Sequence, residues 1–340
     1  MASLTARKGV KNPPMILSQC AQQQQSHTSI LTITTATPSS AQIQLKILHS
    51  LTMISVRITI CSLFQWILLF TAYLPYCSSD CYTGTRDSSL ITDGLAFHGK
   101  YIVKAVLDDL IQNTWITEAE EVVLMGVSAG GIGTEANCDY VADTLHDINP
   151  DIQVKCVADS GTIYPLHTHT VGCYPRILLY GALLAWAGIT DESCMAETEH
   201  INCIRWGKQV ITILTCYFSA TTAWPYLETP AMILHSSTDT TIRFCNENNN
   251  STEFWQNWKN ELSDIVRGIA EARPDFGMFI LNCPFHGTIS HHYKNAEVPL
   301  LDSQDPDEQI LLREILYNFI KGNHPYQAVD DMSIMNSACP

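Results

Sequence analysis

The sequence lacks acidic residues over its first 79 positions. Residues 1–79 contain no Asp or Glu and five Lys or Arg, whereas the whole 340-residue chain has 34 acidic and 19 basic residues and a formal net charge of −15. The acidic excess therefore begins at Asp80. A negative surface repels nucleic acid and anionic membranes, so a neutral substrate is the expected partner and nucleic acid is not.

The N-terminal segment 1–57 also has little continuous apolar surface, because it is rich in Gln, Ser and Thr. This composition predicts a disordered or targeting segment, and an acid-free, Ser-rich start resembles an organelle transit peptide, although Arg is scarce. The apolar run 58–77 leaves two readings open. It is long enough for a signal anchor or membrane span, and its second half, Trp66–Tyr76, is favoured as a strand because Pro75 ends the β-prone run.

The cysteines do not form CxxC pairs. Thirteen cysteines are scattered along the chain, which disfavours zinc ribbons, and we predict neither a metal nor a cofactor. Scattered cysteines are typical of disulfides in an oxidising compartment, where the overlapping sequons at Asn249 and Asn250 are glycan acceptors. The composition predicts a secreted glycoprotein.

From Asp80 onward, short apolar strands alternate with amphipathic helices. This alternation predicts an α/β fold, a mostly parallel sheet with helices on both faces, spanning residues 58–322. A helical cap insertion is predicted at about 173–218, and residues 323–340 are expected to be a C-terminal tail. Helices are predicted at Tyr101–Gln112, Ala129–Leu145 and Pro306–Lys321, the last with Asp305 as cap. Strands are predicted at Glu121–Val127, Val154–Ala158, Ala231–His235 and Met278–Leu281.

The segment Gly126-Val127-Ser128-Ala129-Gly130 matches G-x-S-x-G between a predicted strand and a predicted helix. A serine in this turn is exposed at the end of its strand, where the positive end of the helix dipole favours developing negative charge. Ser128 is therefore the candidate nucleophile. The backbone N–H of Ala129 is a candidate oxyanion donor, and Gly130 is expected to line the same pocket.

Candidate partners for Ser128 follow later strands. In folds with this turn the order along the chain is Ser, acid, His, with each residue after a strand. Asp239 follows the strand Ala231–His235, and His286 follows the strand Met278–Leu281. His286 would accept the Ser128 proton during attack on an ester carbonyl, while Asp239 would fix the imidazole tautomer.

Other residues compete for these roles. His291 and His292 lie just beyond His286, and His235 lies near Asp239. Asp159 ends the strand Val154–Ala158 and competes for the acid role, but it comes one strand after the nucleophile, so we expect Asp159 and Ser160 to form hydrogen bonds at the pocket floor. A turn without catalytic function remains the alternative for Asp239.

At these residues the chain resembles the pectin acetylesterase family. The resemblance rests on Pro75-Tyr76-Cys77-Ser78-Ser79-Asp80, on Gly126-Val127-Ser128-Ala129-Gly130-Gly131 and on Ala158-Asp159-Ser160-Gly161, and it covers about 74–299. The first and third segments are more similar to the Notum-like branch, the palmitoleoyl-protein carboxylesterases, than to the plant enzymes. The resemblance implies an α/β-hydrolase-like carboxylesterase with Ser128 as nucleophile, Asp239 as acid and His286 as base.

The chain departs from the family pattern upstream of Tyr76. The family has a Gly-Gly-Trp-like segment there that supplies a second oxyanion donor, and residues 1–73 contain nothing similar. Three readings follow from the resemblance: deacylation of a lipidated protein, deacetylation of pectin or another polysaccharide, or a weakened relative that binds a lipid or glycan. Membrane association through 58–77 is a further possibility.

Overall fold

A computed structural model shows how these segments are arranged. It describes residues 30–37, 55–60, 68–161, 185–189, 224–241, 252–289, 300–301, 309–323, 327–330 and 339. The cap predicted at 173–218 lies outside these residues except for 185–189, and the competing histidines His291 and His292 also lie outside them.

The described part of the chain forms one eight-stranded sheet and a small two-stranded sheet. The strands of both are β1 (Ile30–Thr37), β2 (Ser55–Ile60), β3 (Leu68–Pro75), β4 (Glu121–Val127), β5 (Gln153–Asp159), β6 (Ala231–Ser236), β7 (Gly277–Leu281), β8 (Leu300–Leu301), β9 (Gln309–Ile310) and β10 (Gln327–Val329). The large sheet has the order β10-β7-β6-β5-β4-β1-β3-β2. Strands β4, β5, β6, β7 and β10 are parallel, whereas β1 is antiparallel to both β4 and β3.

Helices cover both faces of the parallel part of the sheet. The long α-helices among the described residues are α1 (Gly99–Asn113), α2 (Ala129–His146), α3 (Thr252–Ala272) and α4 (Leu312–Lys321). Alternate residues of each strand enter two separate cores, as the period of two in a β-strand requires. Val122 and Leu124 of β4 pack in the core with α1, α2 and α3, and Val123 packs in the core with α4. The prediction of an α/β fold is confirmed.

The elements around the serine turn match the sequence prediction closely. Strand β4 begins and ends as predicted, α2 extends one residue further to His146, and β5, β6 and β7 each differ from their predicted bounds by one residue at one or both ends. The strand expected at Trp66–Tyr76 is found as β3 at Leu68–Pro75. Local pattern suffices here because each of these strands is strongly apolar and turn residues bound it.

Three segments differ from expectation. Strand β1 lies within 1–57, where composition favoured disorder or targeting. Its many β-branched Ile and Thr residues favour a strand once neighbours supply hydrogen bonds. The expected tail 323–340 contributes the edge strand β10. Helix α4 ends at Lys321 as predicted and is followed by Gly322 at φ 69°, but it begins at Leu312 rather than Pro306, because Gln309 and Ile310 pair with β8.

The turn after β3 is held by a buried carboxylate. Asp80 accepts hydrogen bonds from the N–H groups of Tyr82, at 3.1 Å, and of Gly99, at 2.7 Å, so it caps the first turn of α1. Tyr82 donates through its hydroxyl to Leu74 O at 2.8 Å, and its carbonyl accepts from Asn137 of α2 at 3.1 Å. This turn therefore joins β3, α1 and the helix that follows Ser128.

Disulfides link elements of the same domain. Cys138 of α2 is bonded to Cys156 of β5, and Cys283 after β7 is bonded to Cys339 near the end of the chain. Cys77 is also in a disulfide. Among the helices that the structure describes, none combines the length and the apolar character needed to cross a bilayer.

Candidate active site

Ser128 lies in a strained turn between β4 and α2. Its φ of 58° and ψ of −121° lie in a region of backbone conformation that residues other than glycine rarely adopt. Backbone strain of this kind clusters at functional sites. The turn is held by the Ser128 N–H, which donates to Asp159 O at 2.8 Å. A Cβ at Gly126 would overlap the carbonyl of Gly130, so the close approach of strand and helix requires glycine there.

Asp239 and His286 form a hydrogen-bonded pair. The Nδ1 of His286 lies 2.7 Å from Asp239 Oδ2, and the side chains are 23% and 2% exposed. The other carboxylate oxygen of Asp239, Oδ1, accepts the N–H of Thr241 at 2.7 Å. Because the carboxylate can only accept, Nδ1 carries the proton, and Nε2 is the ring nitrogen that can take a proton from another group.

The sheet register brings these residues to one edge. Val127 of β4 pairs with Asp159 of β5, which in turn pairs with Leu234 of β6. Ser236, two residues further along β6, pairs with Leu281 at the end of β7. Ser128, Asp239 and His286 each follow one of these parallel strands, so all three lie beyond the carboxyl edge of the sheet, where open α/β sheets bind ligands.

The loops that carry the acid and the base are joined to each other. Ser237 donates from its N–H to Leu281 O at 2.8 Å and from its hydroxyl to Asn282 Oδ1 at 2.9 Å. Ser236 donates through its hydroxyl to the carbonyl of Cys283. These bonds fix the distance between the segments that end in Asp239 and His286, so the pair does not depend on its own hydrogen bond alone.

The charge of the histidine is set by its two neighbouring carboxylates. Burial by itself lowers the pKa of His286, but the hydrogen bond and the charge of Asp239, with the charge of Asp159, together raise the pKa above its ordinary value. His235, buried on β6, has its pKa lowered to about 4, chiefly by burial, so it is neutral near pH 7. The imidazolium of His286 is thus stabilised without a second positive charge beside it.

This electrostatic arrangement predicts an acidic limb in the pH profile. If His286 is the base expected from the sequence, only its neutral form can accept a proton, so kcat/KM for an ester should rise with pH and level off above an apparent pKa higher than 6.5, the ordinary value. Initial rates of ester hydrolysis from pH 5 to 9, with the melting temperature recorded at each pH, measure it. A profile that is flat while the protein stays folded contradicts a histidine base.

Asp159 and Ser160 occupy the centre of this edge. Asp159 is fully buried, and both of its carboxylate oxygens accept main-chain N–H groups of the loop after His286, from Thr288 at 2.8 Å and Ile289 at 2.7 Å. Ser160, at φ 49°, accepts the N–H of Gly287 through its hydroxyl at 3.0 Å. The hydrogen bonds expected for both residues are present, and they run to the histidine loop.

One candidate oxyanion donor lies at the amino end of α2. Ala129 is the first residue of α2, where N–H groups have no partner within the helix, and it is half-buried next to Ser128, while Gly130 is buried. The neighbour of β4 on the other side is β1, which runs antiparallel. Its amino end, near Leu31 opposite Gly126, therefore lies at the serine edge, and its carboxyl end, near Ala36 opposite Glu121, lies at the other edge.

The structure thus joins Asp239 to His286 directly and links Ser128 to the histidine loop through Asp159. Sequence reasoning missed the second of these links, because the donors of Thr288 and Ile289 are main-chain groups that no side-chain pattern reveals. Of the competing residues, His235 is buried within β6.

A mostly parallel sheet flanked by helices, with a serine in a strained strand-to-helix turn and an Asp–His pair after later strands, defines an α/β-hydrolase-like fold. The chain belongs to the pectinacetylesterase family, whose sequence profile matches residues 20–340. The family membership inferred from the sequence motifs is confirmed.

Curated relatives come from both branches of that family. Pectin acetylesterase 4 of Arabidopsis thaliana is 26% identical over 249 residues, which is 70% of this chain and 59% of that protein. The palmitoleoyl-protein carboxylesterase NOTUM of Homo sapiens is 34% identical over 155 residues, 42% of this chain and 31% of its own length. The Schmidtea mediterranea NOTUM is 35% identical over 132 residues, 36% of this chain and 25% of its own. The chain therefore spans less than two thirds of the length of the relatives it matches.

Proposed function

We propose that this protein is a serine carboxylesterase that hydrolyses acyl esters through Ser128, His286 and Asp239. The observation that carries the proposal is the 2.7 Å contact between His286 Nδ1 and Asp239 Oδ2 at the edge where the strained Ser128 turn ends. It leaves the imidazole correctly protonated to act as a base toward a hydroxyl.

In the proposed reaction, Ser128 Oγ attacks the ester carbonyl as His286 Nε2 takes its proton. The tetrahedral intermediate carries its negative charge next to the N–H of Ala129, at the amino end of α2. His286 then protonates the departing alcohol, which leaves the acyl group on Ser128. Water then attacks the acyl-enzyme while His286 Nε2 takes its proton. His286 returns this proton to Ser128 Oγ as the acyl bond breaks, which releases the carboxylic acid and the free enzyme.

Asp239 serves this cycle by position and charge. Its carboxylate is held by the N–H of Thr241 and stabilises the imidazolium that forms at each proton transfer. Asp159 adds a second, buried negative charge that acts on the same ring.

For the substrate we propose a long-chain acyl ester on a protein, as in the name of the Notum relatives, rather than an acetyl ester on pectin. Identity to the human and Schmidtea mediterranea Notum proteins is 34–35% over 132–155 residues, against 26% over 249 residues for pectin acetylesterase 4, and this higher identity supports the choice. The disulfides and the sequons at Asn249 and Asn250 support a secretory location.

A series of p-nitrophenyl esters tests both parts of this proposal. Purified protein should hydrolyse the series from acetate to palmitoleate, with kcat/KM rising as the chain lengthens. A preference for acetate would replace the lipid substrate by a polysaccharide ester and leave the esterase proposal standing. No hydrolysis of any ester above the uncatalysed rate would contradict both.

The lack of a Gly-Gly-Trp-like segment in residues 1–73 favours a second candidate, a catalytically weakened relative that binds a lipid or glycan. A single oxyanion donor lost from such a site costs about 10²–10³-fold in rate. This alternative would be identified by two results together: calorimetry shows that a non-hydrolysable acyl amide binds, and the matching ester is not turned over.

A further inference from the structure

One residue touches both halves of the candidate site. Asp159 accepts the Ser128 N–H on its main-chain oxygen, at 2.8 Å, and the N–H groups of Thr288 and Ile289 on its two carboxylate oxygens, at 2.8 and 2.7 Å. We infer that Asp159 is a positioning residue that sets the base loop against the nucleophile turn, an inference that rests on the proposed function.

The contacts of Asp159 belong to a continuous set. Ser160 donates its hydroxyl hydrogen to Asp159 Oδ1 at 3.1 Å and accepts the N–H of Gly287 at 3.0 Å. The N–H groups of three successive residues, directly after His286, are therefore fixed by the Asp159–Ser160 pair. Gly287 has a φ of 81°, the backbone conformation that lets the chain turn toward this pair.

The arrangement fits an ionised carboxylate. Every group that faces the side-chain oxygens of Asp159 in these contacts is a donor, two main-chain N–H groups and one hydroxyl. Oδ1 accepts from both Thr288 and Ser160, so a proton on that oxygen would displace one of these donors. Burial raises the pKa of Asp159, and the N–H groups of Ile289 and Thr288 oppose that shift.

The nucleophile side of the contact is equally close. A Cβ added to Gly131 of α2 would lie 2.9 Å from Asp159 O and 2.7 Å from the Cα of Gly161. The helix after Ser128 thus packs against the main chain of this segment with no room for a side chain. A shift of Asp159 would move the Ser128 turn and the His286 loop relative to each other.

The chain offers a matched control at Asp139. This aspartate of α2 is also buried, and its two carboxylate oxygens accept the main-chain N–H groups of Glu228 and Thr229, each at 2.9 Å. It makes the same type of contact as Asp159, but to the segment before β6. An Asp→Asn change at either position replaces one acceptor oxygen by a donor that faces an N–H.

We expect Asp159→Asn to lower kcat/KM by about 10²-fold, mainly through kcat, because small displacements of reacting groups have effects of this size. The acidic limb should also move to lower pH, since the charge of Asp159 raises the pKa of His286; Asp239 is unchanged and His235 stays neutral over this range. Asp139→Asn should lower the melting temperature while leaving kcat/KM and the pH profile as in the wild type.

Two further measurements do not depend on turnover. Amide hydrogen exchange of residues 286–289 should accelerate in Asp159→Asn and not in Asp139→Asn, and the imidazole of His286 should titrate at lower pH by nuclear magnetic resonance. Ser160→Ala keeps the carboxylate and removes the hydroxyl that contacts Asp159 and Gly287. It should give a smaller change of the same kind and is decisive if Asp159→Asn fails to fold.

The inference is overturned if the variants at Asp159 and Ser160 keep the exchange rates and the His286 titration of Asp139→Asn. It is equally overturned if kcat/KM of a folded Asp159→Asn protein equals that of the wild type. Failure of the proposed function would give a different result, because the wild type itself would then lack Ser128-dependent hydrolysis. Hydrogen exchange and the His286 titration would still report on the role of Asp159.

Discussion

Ser128→Ala lowers kcat for p-nitrophenyl ester hydrolysis by about 10⁶-fold if Ser128 is the nucleophile, because no acyl-enzyme can form without its hydroxyl. Alanine tolerates the backbone conformation about as well as serine, so the fold should persist. The measurement is the single-turnover rate with protein in excess over ester, which also detects slow activity. The esterase proposal would be wrong if the variant retained wild-type turnover.

Ser128→Gly separates the chemistry from the strained backbone. Serine at φ 58° is in a conformation that costs about 1–3 kcal/mol and that glycine adopts freely. The glycine variant should be as inactive as Ser128→Ala while its free energy of unfolding is equal to or above that of the wild type. A strong loss of stability would show that the serine hydroxyl has a structural role.

Asp239→Asn is expected to lower kcat by about 10⁴-fold, the second largest effect. The remaining side-chain oxygen would accept the N–H of Thr241, as Oδ1 does now, and the new amide NH₂ would face His286 Nδ1. Nδ1 would then have to accept, so the ring proton would move to Nε2. A ring protonated there cannot take the Ser128 proton.

The free energy of unfolding should change little in this variant, because the amide oxygen can accept from Thr241 and the amide NH₂ can donate to His286 Nδ1, so no donor is left facing a donor. Asp139→Asn is again the control, since it removes one buried carboxylate without touching the histidine. If Asp239→Asn kept more than about a tenth of wild-type kcat, another group would be orienting the histidine.

The sequence predicted the serine turn almost residue by residue, since the strand Glu121–Val127, the glycine at 126 and the helix from Ala129 are specified by local pattern and sterics. The Asp239–His286 pair was also predicted, because parallel strands deliver their carboxyl-end loops to one edge. Residues far apart in the sequence meet here because of the sheet topology, so the local sequence needs only to show where each strand ends.

What the sequence could not predict depends on main-chain partners far along the chain. The role of Asp159 needs the N–H groups of residues about 130 positions later. The pairing of β1 with β4 depends on hydrogen bonds between segments far apart in the chain, and no local sequence pattern shows that β1 runs antiparallel. The start of α4 was misplaced because Asp305 and Pro306 resemble a helix start, whereas pairing with β8 takes Gln309 and Ile310 out of the helix.

The most direct test of the account is covalent trapping with an alkyl fluorophosphonate, followed by mass spectrometry of the digested protein. The account predicts one adduct, on the peptide that contains Ser128, formed rapidly in the wild type and slowed by orders of magnitude in His286→Ala. An adduct on another residue, or labelling of Ser128 at the same rate without the histidine, would contradict it.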